Sequence, residues 1–150
     1  MKKILFVCLG NICRSPMAEY CMKDIVSKAG KKDLIYIESA ATSCEELGNP
    51  VYPPVRKKLK EHGIDCAGKT ARQISKADYD KFDLIVCMEN SNVKRTFAML
   101  GGDPCGKIKR LLDFTDSPRD IADPWYTGDF GGVYRQIVAG CEGLLKHLNF

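Results

Sequence analysis

Lys3-Ile4-Leu5-Phe6-Val7-Cys8-Leu9-Gly10-Asn11-Ile12-Cys13-Arg14-Ser15-Pro16 is the stretch on which the fold turns. From Lys3 to Val7 the apolar run is continuous, which marks a strand buried on both faces. Ser15-Pro16 opens a helix, since proline is tolerated in a first turn, and Met17, Tyr20, Cys21 and Ile25 carry helical spacing on to Ala29. A short loop therefore joins a buried strand to a helix N-terminus. Its backbone N–H groups can wrap inward around an anion, with Gly10 expected to permit positive φ. Lys2 and Lys3 before the apolar run Ile4 to Leu9 mimic a signal peptide, but the run is shorter than the about 7–15 residues of a true h-region. No small-residue cleavage site follows. The reading is a buried strand in a protein that stays in the cytoplasm.

Beyond this stretch, strand and helix patterns alternate. Leu34 to Glu38 reads as a second strand, and a loop with Gly48, Pro50, Pro53 and Pro54 leads to a helix at Val55 to His62 closed by Gly63. Ser75 caps a short helix to Phe82, Asp83 to Met88 is a third strand, and Asn92 to Leu100 a helix ending at Gly101-Gly102. Lys107 to Leu112 is a fourth, weaker strand. A long loop from Asp113 to Gly128 precedes a last helix with the stripe Val133, Ile137, Cys141, Leu144 and Leu148. Strands separated by helices imply crossovers and a parallel sheet covered on both faces. The expected fold is a single doubly wound α/β domain over residues 1–150 with a four-stranded parallel sheet. Such sheets bind ligands beyond the carboxyl ends of their strands, which directs attention to the loops after Val7, Glu38, Met88 and Leu112.

Composition narrows the function. The chain has 150 residues, 45% hydrophobic and 28% charged, enough for a core that needs no metal or disulfide. No apolar stretch approaches the ~20 residues of a membrane span, so membrane insertion is not expected. A net charge of +4 with scattered lysines does not indicate nucleic acid, although it mildly favours anionic substrates. The run Arg56-Lys57-Lys58 with Lys60 reads as a solvated helix face. The eight cysteines contain no Cys-x-x-Cys and no Cys/His cluster at zinc spacing, and only His62 and His147 could add to one. No metal and no cofactor are expected. Cys21, Cys87 and Cys141 fall in apolar patterns, as reduced cysteines do, which points to a reducing compartment.

Two segments compete as phosphate loops. Gly63-Ile64-Asp65-Cys66-Ala67-Gly68-Lys69-Thr70 matches the nucleotide-binding loop, and Leu84 to Glu89 could pose as its magnesium-binding strand. However, a basic helix precedes Gly63 and Ala71-Arg72-Gln73-Ile74 reads extended, the reverse of the strand-then-helix order that aims N–H groups at phosphates. The Cys-x5-Arg spacing occurs at Cys66 to Arg72, where the context is equally wrong, and at Cys8 to Arg14, where strand and helix are both in place. There Arg14 supplies a planar fork for two phosphate oxygens. Cys8 faces a ring of partial positive charge, expected to lower its pKa below about 8.5 and favour the nucleophilic thiolate. A departing oxygen then needs a proton. Asp123 is the candidate, followed by Pro124, which limits its motion, and by Trp125 and Tyr126, which can cover an apolar ring. Alone, Asp123-Pro124 is an ordinary turn. Beside the Cys8 loop it reads as an acid.

Val7 to Pro16, together with Asp123-Pro124-Trp125-Tyr126 more than a hundred residues later, resembles the low-molecular-weight protein-tyrosine phosphatases. The likeness extends over the chain, including Glu38-Ser39-Ala40, His62-Gly63-Ile64 and Ala71-Arg72-Gln73. The resemblance implies a metal-free phosphatase acting on phosphotyrosine in proteins or peptides and on aryl phosphates through a phosphocysteine, with inorganic phosphate as product. It implies Cys8 as nucleophile, Arg14 as clamp, Asp123 as general acid and then base, and residues 8–14 (Cys8, Leu9, Gly10, Asn11, Ile12, Cys13, Arg14) as the phosphate loop. Ser15 would stabilise the thiolate, and Asn11, Ser39 and His62 would brace the loop. Read alone, His62 is a plain helix-end histidine.

Cys13 reads either as a small buried filler or, by the resemblance, as the partner that traps oxidised Cys8 in a disulfide. Ile12 is the residue of tyrosine-directed relatives, where arginine-phosphate-directed ones carry Thr. The rim is expected from Ile12, Glu45, Glu46, Trp125 and Tyr126. Many relatives place an aromatic in the loop Ser43 to Gly48, whereas Glu45 and Glu46 here would disfavour acidic phosphopeptides. The alternatives are a phosphoarginine phosphatase, a thiol-dependent arsenate reductase, for which no resolving cysteine pair follows Cys87, and a non-catalytic phosphotyrosine-binding module.

Overall fold

In the computed structural model, which describes residues 1–150, the opening strand lies in the middle of the molecule. Strand β1 (Lys2–Cys8) pairs in parallel with β2 (Ile35–Ala41) on one side and β3 (Leu84–Cys87) on the other, and β4 (Ile108–Arg110) completes the sheet on the far side of β3. The order β2-β1-β3-β4 reverses direction at β1, so a crevice opens where the β1 loop emerges. This is the four-stranded parallel sheet expected from the sequence. The β2 strand runs to Ala41 rather than Glu38, which carries Ser39 into the sheet beside Phe6.

The central strand alternates between two apolar layers, as the period of a strand requires. Ile4, Phe6 and Cys8 face a large core formed with α1 (Arg14–Lys28), α2 (Pro53–Glu61) and α6 (Phe130–Leu148). Leu5 and Val7 face a smaller layer covered by α3 (Lys76–Lys81) and α4 (Asn90–Leu100). Each of Ile4, Leu5, Phe6 and Val7 is wholly buried. The final helix comes unusually close to the 3-10 turn Leu111–Phe114: a Cβ at Gly140 would stand 2.5 Å from Leu111 Cγ, and one at Gly143 only 2.1 Å from the Phe114 carbonyl oxygen. That proximity seats the segment from Leu111 onward, whose continuation reaches the β1 loop.

The segment 113–128 is less irregular than expected. A short helix α5 (Pro124–Thr127) follows Asp123, and Pro124 takes the first helical position, where its missing N–H costs nothing. The basic run on α2 keeps Arg56, Lys57 and Lys60 exposed, while Lys58 pairs with Glu61 at 2.8 Å. Residues 63–69 are irregular chain with two short turns, preceded by α2 rather than a strand, so they lack the setting of a nucleotide loop. No helix is long and apolar enough to cross a membrane.

Candidate active site

At the carboxyl end of β1, the chain turns around the sulfur of Cys8. The backbone N–H groups of Asn11 and Ser15 point at Sγ from 3.3 and 3.4 Å, and Ser15 Oγ lies 2.9 Å away. Three hydrogen-bonding groups therefore converge on the sulfur of a residue that is 3% exposed. The positive φ belongs to Asn11 (58°), not to Gly10 as the sequence suggested. Asparagine tolerates the left-handed region when its side-chain amide is tied down, and here that amide makes three hydrogen bonds while the backbone N–H makes a fourth. Its Nδ2 donates to Ser15 Oγ (2.8 Å) and Ser39 Oγ (3.0 Å), its Oδ1 accepts from Arg72 N (3.2 Å), and its own N–H faces Cys8. At Gly10 the φ is not positive, and a Cβ there would make only an ordinary contact, 3.4 Å from Glu46 Cγ.

The brace behind the loop contains Asn11, Ser15 and Ser39 as expected, but not His62. His62 caps the end of α2, exposed, and stacks on the Tyr134 ring at 4.1 Å; none of its contacts reaches Asn11 or Ser39. Its place is taken by two charged residues. Ser39 Oγ donates to Glu19, and Lys69 Nζ donates to the Ser39 carbonyl at 2.8 Å while lying 3.5 Å from Glu19. Their side chains are only 4% and 12% exposed. Burial holds the Lys69 ammonium below its ordinary value, and Glu19 opposes that shift. A carboxylate can only accept, so Ser39 must spend its one hydrogen on Glu19 and accept from Asn11. The relay thus has a single direction: Asn11 gives hydrogens to both serines, and Ser15, accepting from Asn11, is free to donate to sulfur. Glu19 resembles an ordinary helix partner of Lys23, four residues on, with which it does pair at 2.6 Å. Lys69 lay hidden in the Gly-rich match. Neither spacing signalled a buried role.

Arg14 is 1% exposed and held from three directions. Nη1 donates to the Ile121 carbonyl (2.7 Å), and Nη2 donates to Glu89 (3.2 Å) and lies 3.5 Å from Asp123. Burial disfavours its charge, but Cys8, Glu89 and Asp123 outweigh it and the guanidinium is held above its usual range. Glu89 lies two residues past β3, at the N-cap of α4, and the sequence marked it only as a false magnesium ligand. Asp123 caps α5: Oδ1 accepts from Trp125 N at 3.0 Å and leaves Oδ2 toward Arg14. Cys13 lies in the same loop, its thiol pushed up to about 12 by burial, with the charges of Cys8 and Asp123 adding to the effect.

Cys8, Leu9, Gly10, Ile12, Cys13 and Arg14 line one pocket of about 150 Å³, whose walls are completed by Glu45, Glu46, Asp123, Trp125 and Tyr126. Asn11, in the same loop, is buried beneath it. Every rim residue expected from sequence is therefore at the mouth. Trp125 is half exposed and leans on Tyr52, with ring centroids 4.7 Å apart. Nowhere do three or more His, Cys, Asp or Glu side chains gather so as to hold a metal ion.

A cysteine beneath converging donors, a buried arginine fork and a capping aspartate, all at the switch point of a parallel sheet, define a thiol-based phosphoryl-transfer enzyme. The comparisons with known proteins agree. The family model described as low molecular weight phosphotyrosine protein phosphatase matches residues 3–150. The low molecular weight protein-tyrosine-phosphatase YfkJ of Bacillus subtilis is 42% identical over 150 residues, covering 99% of this chain and 96% of that protein. Its crystal structure superimposes with a TM-score of 0.95 at 41% identity, covering 99% and 94% of the two chains. The human low molecular weight phosphotyrosine protein phosphatase is 39% identical, covering 97% and 94%. The crystal structure of a drosophila arginine phosphatase matches with a TM-score of 0.88 at 35% identity, covering 100% of this chain and 99% of that one. The chain belongs to the low molecular weight phosphotyrosine protein phosphatase family, a family of cysteine-dependent hydrolases of phosphoric monoesters.

Proposed function

We propose that this chain hydrolyses phosphotyrosine in proteins or peptides, and simple aryl phosphates, through a phosphocysteine. One observation carries the reading: Cys8, on whose Sγ the Asn11 and Ser15 donors converge, lines the same pocket as Arg14 and Asp123. In the first step the Cys8 sulfur attacks phosphorus in line and the bond to the phenol oxygen breaks, with Asp123 delivering its proton to that oxygen. Arg14 and the amides of the 8–14 loop hold the equatorial oxygens as charge shifts among them. In the second step the Asp123 carboxylate takes a proton from water, whose oxygen displaces sulfur and releases inorganic phosphate. The steps call on no metal and no cofactor. Ile12, Trp125 and Tyr126 offer apolar wall to an aromatic ring, which supports phosphotyrosine over phosphoarginine.

Cys13 is a protonated thiol adjoining Cys8. When peroxide converts Cys8 to a sulfenic acid, the Cys13 sulfur attacks it, a disulfide forms and water leaves, which spares Cys8 from irreversible oxidation.

The decisive assay is hydrolysis of a phosphotyrosine peptide in chelator and fresh reductant, wild type beside Cys8→Ser. Activity that persists in chelator and vanishes in the variant is expected, with phosphate binding retained. A Cys8→Ser enzyme with most of its activity overturns the mechanism. An inactive wild type overturns the substrate, and phosphoarginine, arsenate and simple phosphopeptide binding are then measured in turn.

A further inference from the structure

The crevice that holds the phosphate pocket does not end there. A second groove of about 390 Å³ shares Leu9, Asp123 and Tyr126 with the pocket and continues past them to Ser91 and Arg95 on α4. Strand order puts this groove and the acidic rim on opposite sides. Glu45 and Glu46 follow β2, the neighbour of β1 on one flank; Arg95 follows β3, the neighbour on the other. The cradle carried by β1 stands between them.

The charges at the two ends differ in how they are occupied. Within the second groove Glu89 is committed to Arg14 and Ser91, and Asp123 to Trp125 N–H and Arg14. Arg95 is exposed and makes no ion pair or side-chain hydrogen bond. On the other flank, Glu45 is likewise unpaired, and Glu46 accepts only from Asn49 (2.5 Å). An anionic group is therefore met by a free cation on the β3 side and by two carboxylates on the β2 side. A peptide laid across the mouth advances about 3.3 Å per extended residue, so residues close to the phosphotyrosine fall over these groups.

Building on the phosphotyrosine reading above, we propose that the pocket mouth recognises charge order: the Arg95 groove is a subsite for an acidic residue on one side of the phosphotyrosine, and Glu45 and Glu46 receive a basic residue on the other. The preferred substrate is a peptide of opposite charges in a fixed sense, not simply a basic or an acidic one.

Two phosphotyrosine peptides of identical composition test this, one with Lys before and Glu after the phosphotyrosine, the other reversed, beside an alanine-flanked control. Because their net charges are equal, long-range attraction to the protein cancels and only local order distinguishes them. One order is expected to exceed the other about fivefold in kcat/KM, the scale of one or two exposed ion pairs gained and like-charge contacts avoided. In the double variant Glu45→Lys with Arg95→Glu the preference reverses. Equal kcat/KM for the two orders in the wild type overturns the proposal, as does a wild-type preference that the double variant leaves unchanged. Failure to hydrolyse all three peptides, the alanine-flanked one included, instead overturns the phosphotyrosine reading.

Discussion

The hydroxyl of Ser15 stands 2.9 Å from the sulfur of Cys8. It already accepts from Asn11 Nδ2 at 2.8 Å, which leaves its single hydrogen for the sulfur. A hydrogen bond to a charged acceptor contributes about 1.5–3 kcal/mol. Ser15→Ala removes that hydrogen bond and should slow alkylation of Cys8 by iodoacetate about tenfold, with kcat falling in parallel. Phosphate affinity, set by Arg14 and the loop amides, should change little. Unaltered alkylation in the variant would show that the hydroxyl does not donate to sulfur.

Lys69 holds the bracing position that the family resemblance assigned to His62, while His62 is the helix-end residue its own sequence context suggests. Removing Lys69 leaves Glu19 buried with only the half-exposed Lys23 as counter-charge. Loss of one partner from a buried pair costs about 3 kcal/mol or more, so Lys69→Met should lower stability on that order and reduce kcat as Ser39 and Asn11 lose register. His62→Ala forfeits only an aromatic stack, about 1 kcal/mol, and should leave kcat unchanged. Denaturant melts and steady-state kinetics on the two variants separate the roles. A drop in kcat for His62→Ala with none for Lys69→Met would reverse the assignment.

Asp123 faces the pocket with one oxygen while the other caps α5. Asp123→Asn keeps the cap, because an amide oxygen can also accept from Trp125 N–H. Its effect should fall on proton transfer, typically about 10²–10⁴-fold for a general acid. Phenyl phosphate should be slowed far more than p-nitrophenyl phosphate, whose leaving group needs less help. Equal slowing of the two esters would remove Asp123 from that role.

The Cys13 thiol, pushed up to about 12, stays protonated at neutral pH. Cys21 and Cys87 are also pushed up to about 12, chiefly by burial. A raised folded pKa gives stability that is complete below the unfolded value and is lost as pH climbs through the folded one. The protein should accordingly lose stability between about pH 9 and 12, with a shallower loss in Cys13→Ser, measured by melts across that range. The same variant should recover less activity than wild type after peroxide followed by thiol. Equal recovery would leave Cys13 as a packing residue.

The sheet and the cradle were legible because they are written in contiguous residues. An unbroken apolar run declares a strand buried on both sides, and Ser15-Pro16 declares where the helix begins. The place of Asp123 at the pocket, 3.5 Å from Arg14, was legible once the cradle was known, because the reading of the cradle called for an acid beside it. Element ends were less so: β2 runs three residues past the expected Glu38, because the β1 ladder continues to pair it through Ala41.

The sequence by itself determined that a cysteine and an arginine share one strand–loop–helix turn, because every atom of that turn belongs to neighbouring residues. Only the tertiary structure decided that Asn11, not Gly10, takes the left-handed backbone, and that Glu19 and Lys69 brace it while His62 stacks elsewhere. The reason is physical. Glu19 and Ser39 are twenty residues apart, Ser39 and Lys69 thirty, and Asn11 and Arg72 sixty-one. A lysine that will be buried against a carboxylate is spelled the same as one that will stand in water. Which it becomes is settled when the β1 loop and the segment before Arg72 are packed together at one end of the sheet.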